Sequence, residues 1–182
     1  EFEFISSGRG YIVGRSLSKF TLLEKKGINL PNSIYNETKQ LEIYKEFLSR
    51  IVHLDIDGLG LSFVQTGELI HKIRSIVPSL ALVAKVENSE GLRNCVDIVS
   101  QADAIMIDRG DLAAEIGFDA LYNAVEKISS STKSNGKPLI MATENLESMS
   151  DRDTPSKSEV MSLAHSVSIG SDCIMLSEET AI

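Results

Sequence analysis

Five short apolar runs constrain this chain more than any other feature: Leu59–Val64, Ala81–Val86, Ala104–Ile107, Pro138–Ala142 and Cys173–Ser177. Each is nearly continuous and not alternating, as expected of parallel strands covered on both faces. Between the runs the spacing turns helical. Leu69, Ile73, Ile76 and Val77 fall at i, i+4, i+7 and i+8. Phe118, Leu121, Tyr122 and Val125 follow i, i+3, i+4 and i+7, as do Val160, Leu163, Ala164 and Val167. Ser89–Ser100 is a shorter, less regular helix. Ser156 with Glu159 forms a capping box before the last helix, and Asn135-Gly136 ahead of Pro138 stops the third.

Strand–helix alternation with right-handed crossovers predicts an α/β fold with a parallel sheet. The pitch matches a TIM (β/α)8 barrel, whose closure takes eight strands and about 250 residues. The expected architecture is therefore a partial barrel, three strands short of closure. A doubly wound open sheet also accommodates five strands, but no Gly-rich dinucleotide loop supports one. Ahead of the first run, Phe2, Phe4, Tyr11 and Val13 around Gly8-Arg9-Gly10 predict a hairpin. Asn29-Leu30-Pro31-Asn32 reads as a turn, and Glu37–Arg50 as a polar helix. The sequence opens on Glu1-Phe2 and stops at Ile182 without a cap or polar tail, as a segment of a longer chain would.

A formal charge of -8 over 182 residues removes the basic stripe that a nucleic-acid binder needs. No apolar run approaches the ~18 residues of a membrane span, and no signal peptide is visible. Cys95 and Cys173, each inside an apolar run, read as small core residues of a reducing compartment.

The charges fall where the strands end. In Ala81–Asn88 an apolar strand finishes in Lys85 and Glu87, whose i, i+2 spacing sets both on one face. In Ala104–Asp111 the next strand likewise runs from apolar into Asp108, Arg109 and Asp111. The C-terminal strand ends of a barrel form its active-site rim. Two carboxylates on neighbouring strands, with positions left open, suit Mg2+ or Mn2+. A lysine beside them can neutralise an anionic substrate or a developing enolate, and Gly110 admits a ligand close to the backbone. Plainer readings exist for the same residues. Lys85 and Glu87 can form a structural ion pair, and Asp111 can cap the turn into Leu112-Ala113-Ala114. Thr143 can be a helix cap, and Glu178-Glu179 a solvated loop. His53, His71 and His165 follow no ligand spacing and read as surface or satisfied residues.

Lys85-Val86-Glu87-Asn88-Ser89-Glu90-Gly91 resembles the Lys-Ile-Glu-Asn-x-Glu-Gly segment of the pyruvate kinases. Ile105-Met106 through Arg109-Gly110-Asp111-Leu112 to Glu115-Ile116 resembles their Ile-Met-Val-Ala-Arg-Gly-Asp-Leu-Gly-x-Glu-Ile segment. Gly136-Lys137-Pro138, Ala142-Thr143 and Leu146-Glu147-Ser148-Met149 are similar to Gly-Lys-Pro, Ala-Thr and Leu-Glu-Ser-Met in that family. Met175-Leu176-Ser177-Glu178-Glu179-Thr180-Ala181 is similar to Met-Leu-Ser-Gly-Glu-Thr-Ala. Lys26-Gly27-Ile28-Asn29-Leu30-Pro31 and Leu61-Ser62-Phe63-Val64 follow the same order.

The resemblance implies a barrel of the phosphoenolpyruvate/pyruvate-domain type, with residues 24–182 as its second part. Residues 1–23 would be the end of an inserted β-rich lid domain. The implied activity is phosphoryl transfer from phosphoenolpyruvate to ADP, giving pyruvate and ATP, with Mg2+ or Mn2+ and K+. Glu87 and Asp111 would hold the divalent ion, and Lys85 would stabilise the moving phosphoryl group and the enolate. Arg109, Gly110 and Asp111 would bind the substrate carboxylate, with Thr143 beside the carbon that gains a proton. Ser62, Ser177 and Glu179 would be secondary site positions. A cytoplasmic or plastid location, and a homo-oligomer or association with further barrel strands, are also implied. Two other functions stay open: a degenerate family member kept for binding or assembly, and a metal-dependent aldolase or lyase of the same barrel group.

The sequence departs from the family near these positions. Asp108 stands where the family has a small residue, and Ala113-Ala114 where it has Gly and an aliphatic one. Glu144-Asn145 replaces Gln-Met, and Glu178 replaces Gly. Asp108, Glu144 and Glu178 each add negative charge where anionic substrates would bind. The usual K+ ligands of the family have no counterpart in this sequence.

Overall fold

The computed structural model describes residues 2–19, 21, 35–51 and 53–181. The Lys26–Pro31 match and the turn expected at 29–32 lie outside the described residues. The hairpin is present as β1 (Phe2–Gly8) and β2 (Tyr11–Ser16), paired antiparallel. Gly10 closes the turn at φ +86°, a conformation that only glycine adopts without strain. Every residue of both strands is exposed.

The rest alternates strands and helices. α1 (Glu37–Ile51) leads into β3 (Gly58–Leu61), then α2 (Gly67–Ile76) and β4 (Ala81–Val86). α3 (Ser89–Arg93) and α4 (Cys95–Gln101) precede β5 (Ala104–Asp108), followed by α5 (Arg109–Ile116) and α6 (Phe118–Ser134). β6 (Leu139–Ala142), α7 (Lys157–Ser168) and β7 (Cys173–Met175) complete the series. The five strands pair in parallel in the order β3-β4-β5-β6-β7. A doubly wound sheet reverses its strand order at a switch point, and this sheet does not. Sequential parallel strands with returning helices form one arc of a (β/α)8 barrel.

One face of the sheet carries the core. Leu61, Leu82, Ala84, Val86, Ile105, Ile107, Leu139 and Met141 are buried against Ile70, Ile73, Ile98, Val99, Val125 and Ile128 of the helices. Each such Leu or Ile contributes about 2 kcal/mol by leaving water. The other face differs from the expectation of strands covered on both sides. Its register runs Val83↔Ala104, Lys85↔Met106↔Ile140↔Cys173 and Asp108↔Ala142↔Met175. Ala81 and Cys173 are exposed there, while Val83, Lys85, Met106, Ile140 and Met175 are half-buried. Cys173 is thus no core residue. It lies on the last described strand, on the face that the helices do not cover.

Some boundaries also moved. The first strand stops at Leu61 because Phe63 turns to φ +52° and its N–H goes to Glu87. The last strand stops at Met175 and does not reach Ser177. The irregular second helix is two helices, α3 and α4, joined at Asn94. Asn88 caps α3 by accepting the Gly91 N–H at 2.7 Å. Gly91 is required here: a Cβ would sit 2.5 Å from the Val64 carbonyl oxygen. The capping box before α7 is present, with both Ser156 and Glu159 engaged.

Candidate metal centre

Strand parity puts Lys85 on the half-buried face of β4, and Glu87 follows just past the strand end on the same side. The Lys85 ammonium pairs with Glu87 Oε1 and lies 3.3 Å from Asp108 Oδ2. The ion pair read from the spacing is therefore real, and it has a third member. Glu87 is sealed from solvent, and its Oε2 accepts the Phe63 N–H at 2.6 Å. Oε1 faces the ammonium. Burial pushes the Glu87 carboxyl up, and Lys85 and the Phe63 N–H only partly offset it. Burial acts to lower Lys85, but Glu87 and Asp108 outweigh it and hold the ammonium above its ordinary value.

Asp108, not Asp111, caps α5, with Oδ1 set 3.5 Å from the Asp111 N–H. Asp111 stands in the first turn of that helix. One carboxylate oxygen from each of Glu87, Asp108 and Asp111 lies within 4.8 Å of the others. Hard oxygen donors at this spacing fit Mg2+ or Mn2+. The donor set gains Asp108 over the two carboxylates expected.

Thr143 follows β6 and caps no helix. It has φ +60°, and its neighbour Glu144 has φ +51°. Non-glycine residues held in this region store strain of about 1–3 kcal/mol each, and such strain gathers at functional sites. The Thr143 hydroxyl accepts the Gly110 N–H at 3.1 Å. It lies 3.0 Å from Asp108 Oδ1 and 2.8 Å from the Ala142 carbonyl, so its single proton serves one of them at a time.

Arg109 braces this turn. Its guanidinium donates to the Thr143 and Glu144 carbonyls at 2.6 and 2.9 Å. It also donates to Asn145 Oδ1 at 2.9 Å and to Ser162 Oγ of α7 at 2.6 Å. Asn145 is fully buried and passes the link on to the Met175 carbonyl at 2.8 Å. Glu179 is not a solvated loop residue. Its own backbone N–H, then those of Ser177 and Leu146 at 2.9 and 3.2 Å, outweigh its desolvation and hold its carboxyl below the ordinary range. Ser177 and Glu179 thus support the loop after β6. The Ser62 carbonyl is held by Gln40 and Tyr44 of α1, at 2.9 and 3.2 Å. His165 pairs with Glu126 at 3.1 Å, and His53 and His71 are exposed.

Lys85, Glu87, Gly110, Asp111 and Thr143 therefore meet as expected, while Arg109 works sideways into the scaffold. Asp108 and Asn145, which the sequence marks only as departures from the family, also join this cluster. An Asp-x-x-Asp run before Leu112-Ala113 is a cap signal that could have found the first. Nothing local marks Asn145, whose partners lie on other strands.

A carboxylate cluster with one lysine, at the C-terminal ends of adjacent parallel strands, is an arrangement that could hold a divalent cation on a (β/α)-barrel fold. The family model described as pyruvate kinase, barrel domain, matches residues 6–182. The chain is 36% identical over 171 residues to the pyruvate kinase of Agaricus bisporus, covering 92% of this chain and 32% of that one. It is 33% identical over 181 residues to that of Dictyostelium discoideum, covering 97% and 36%. A probable cytosolic pyruvate kinase isozyme of Arabidopsis thaliana is 35% identical over 178 residues, covering 95% and 36%. The chain belongs to the pyruvate kinase family. It spans about a third of the length of the curated relatives it matches.

Proposed function

We propose that this chain is part of a pyruvate kinase-type phosphotransferase, acting with phosphoenolpyruvate and ADP in glycolysis. The observation that carries the reading is the convergence of Lys85, Glu87 and Asp111 on one rim. When bound, Mg2+ or Mn2+ would supply charge neutralisation for the phosphate oxygens. Glu87 and Asp111 would hold it, and Lys85 would place its ammonium against the phosphoryl group and the enolate left behind. The strained Thr143 turn, braced by Arg109, would set a hydroxyl beside the carbon that is protonated. Gly110 keeps the backbone open there: an added Cβ would touch Thr143 Oγ1 only at 3.6 Å. K+ comes with the family reading, although the family's usual ligands for it have no counterpart in this sequence.

In the same reading, residues 1–23 end a β-rich lid and residues 24–182 are the second part of the barrel. The half-buried sheet face and the strand edges of β3 and β7 would receive further strands or a second copy of the chain. A cytoplasmic location follows the cytosolic isozymes named among the relatives. Among the described residues, no helix is long and apolar enough to cross a membrane.

A coupled assay with phosphoenolpyruvate, ADP, Mg2+ and K+ on the complete native chain tests this. Turnover that Lys85→Met abolishes supports the reading, and absence of turnover in the native chain defeats it. One observation favours a second reading, a binding domain without turnover: Asp108 sits against the lysine that the chemistry needs. Retained Mn2+ binding without turnover would select that reading or a lyase of the same barrel group.

A further inference from the structure

Two consecutive non-glycine residues at positive φ, Thr143 at +60° and Glu144 at +51°, need something outside the turn to keep them there. Arg109 supplies it. One terminal nitrogen of its guanidinium reaches the Thr143 and Glu144 carbonyls and, at 2.9 Å, Asn145 Oδ1. The other reaches Ser162 Oγ on α7 at 2.6 Å. A guanidinium can direct two carbonyls only if its own position is fixed, and Asn145 and Ser162 are its two anchors.

The anchors differ in strength. Ser162 is half-buried, and its hydroxyl is free to rotate. Asn145 is fully buried and cannot turn. Its amide nitrogen donates to the Met175 carbonyl at 2.8 Å and, more weakly, to the Met141 carbonyl at 3.4 Å. With both amide protons committed, Oδ1 is left to face Arg109. Met141 lies in β6 and Met175 ends β7, so one side chain ties the guanidinium to two strands.

We infer that Asn145 is a positioning residue for the Thr143 hydroxyl: by clamping Arg109 to β6 and β7, it keeps the Thr143 turn in its left-handed conformation. The functional part of this inference rests on the reading of Thr143 given above. Arg109 fixes the turn through its carbonyls. Gly110, the next residue, fixes it through the hydroxyl, donating its N–H to Thr143 Oγ1 at 3.1 Å. If the guanidinium loses its anchor, the carbonyls are released, and the hydroxyl leaves its place beside the reacting carbon. The side chain at 145 decides this. A carboxylate there can still hold the guanidinium but cannot donate to the Met175 carbonyl. An aliphatic side chain can do neither.

The test applies the coupled assay above to the complete native chain. It is paired with the methyl NMR signal of Thr143, assigned by its loss in Thr143→Ser. Asn145→Leu should lower kcat about tenfold or more, with KM within about twofold, and should shift the Thr143 methyl. Asn145→Asp keeps the acceptor for Arg109 and should hold kcat within about threefold of native, with the methyl near its native position. Arg109→Lys combined with Asn145→Leu should be no worse than Arg109→Lys alone, because both act through the same clamp. A folded Asn145→Leu protein with native kcat and an unmoved methyl overturns the inference, since Asn145 is then only a core residue. Equal losses in the Leu and Asp variants also overturn it, since Arg109 is then not the route. If Asn145→Leu does not fold, Ser162→Ala removes the other anchor from a half-buried helix face and decides: a moved methyl supports the clamp, and an unmoved one overturns it. A native chain without turnover defeats the phosphotransferase reading alone, and the methyl shift still upholds or overturns the clamp.

Discussion

On β4, Leu82, Ala84 and Val86 are sealed from solvent, while Val83 and Lys85, a residue away on the same strand, remain half-buried. The two faces of the sheet follow different physics. The sealed face is covered by helices that lie close by in sequence, so apolar bulk alone determines it. The other face has no such nearby cover, and its C-terminal rim can therefore hold Lys85, Glu87 and Asp108. Burial there is offset by ion pairing and not by packing. Mutations should separate the two faces cleanly.

The largest effect belongs to the sealed face. Ile107→Ala removes a fully buried side chain and should cost about 3–4 kcal/mol in urea unfolding. A cost below about 1 kcal/mol would mean that this face is not the core. On the rim, Lys85→Met strips the buried Glu87 and its neighbour Asp108 of their counter-ion. A loss of about 2–3 kcal/mol at neutral pH is expected, together with loss of turnover in the complete chain. If stability instead rises, the lysine is a net liability and not the rim's support.

Glu144→Gly sharpens the contrast in the opposite direction. Glu144 is exposed at φ +51°, so glycine should relieve strain and stabilise by up to about 1 kcal/mol, read as a higher Tm. The smallest effect lies away from both faces. Ser148 and the Ser156 backbone hold the Glu159 carboxyl down to about 2 from its ordinary 4.5. A depressed folded-state pKa gives stability that is complete above the unfolded value and lost as pH falls. Tm should therefore drop between pH 4.5 and about 2, and Glu159→Gln should flatten that drop.

The same contrast explains what could be read in advance. Leu69, Ile73, Leu121 and Val125 mark their helices because the covering partner is local and the period is regular. The Ser156–Glu159 box was legible for the same reason. Glu87 and Asp111 were reached through strand-end position and family likeness. Asp108 registered only as an added charge, because its three partners come from β4, α5 and the loop after β6. Cys173 was misplaced for a related reason: an apolar run does not reveal whether its second face has a cover. Asn145 and Glu179 are buried or half-buried polar groups satisfied across strands, and no spacing rule reports such pairs.

The central claim is that the charged rim, and not the apolar face, is a divalent-cation site. Mn2+ titration by electron paramagnetic resonance of Glu87→Gln and Ile105→Val, side by side, tests it most directly. The account predicts that Glu87→Gln loses at least tenfold in Mn2+ affinity with its fold intact. Ile105→Val, buried on the opposite face, should lose about 1 kcal/mol of stability and none of the binding. Equal Mn2+ affinity in Glu87→Gln and the native protein would contradict it.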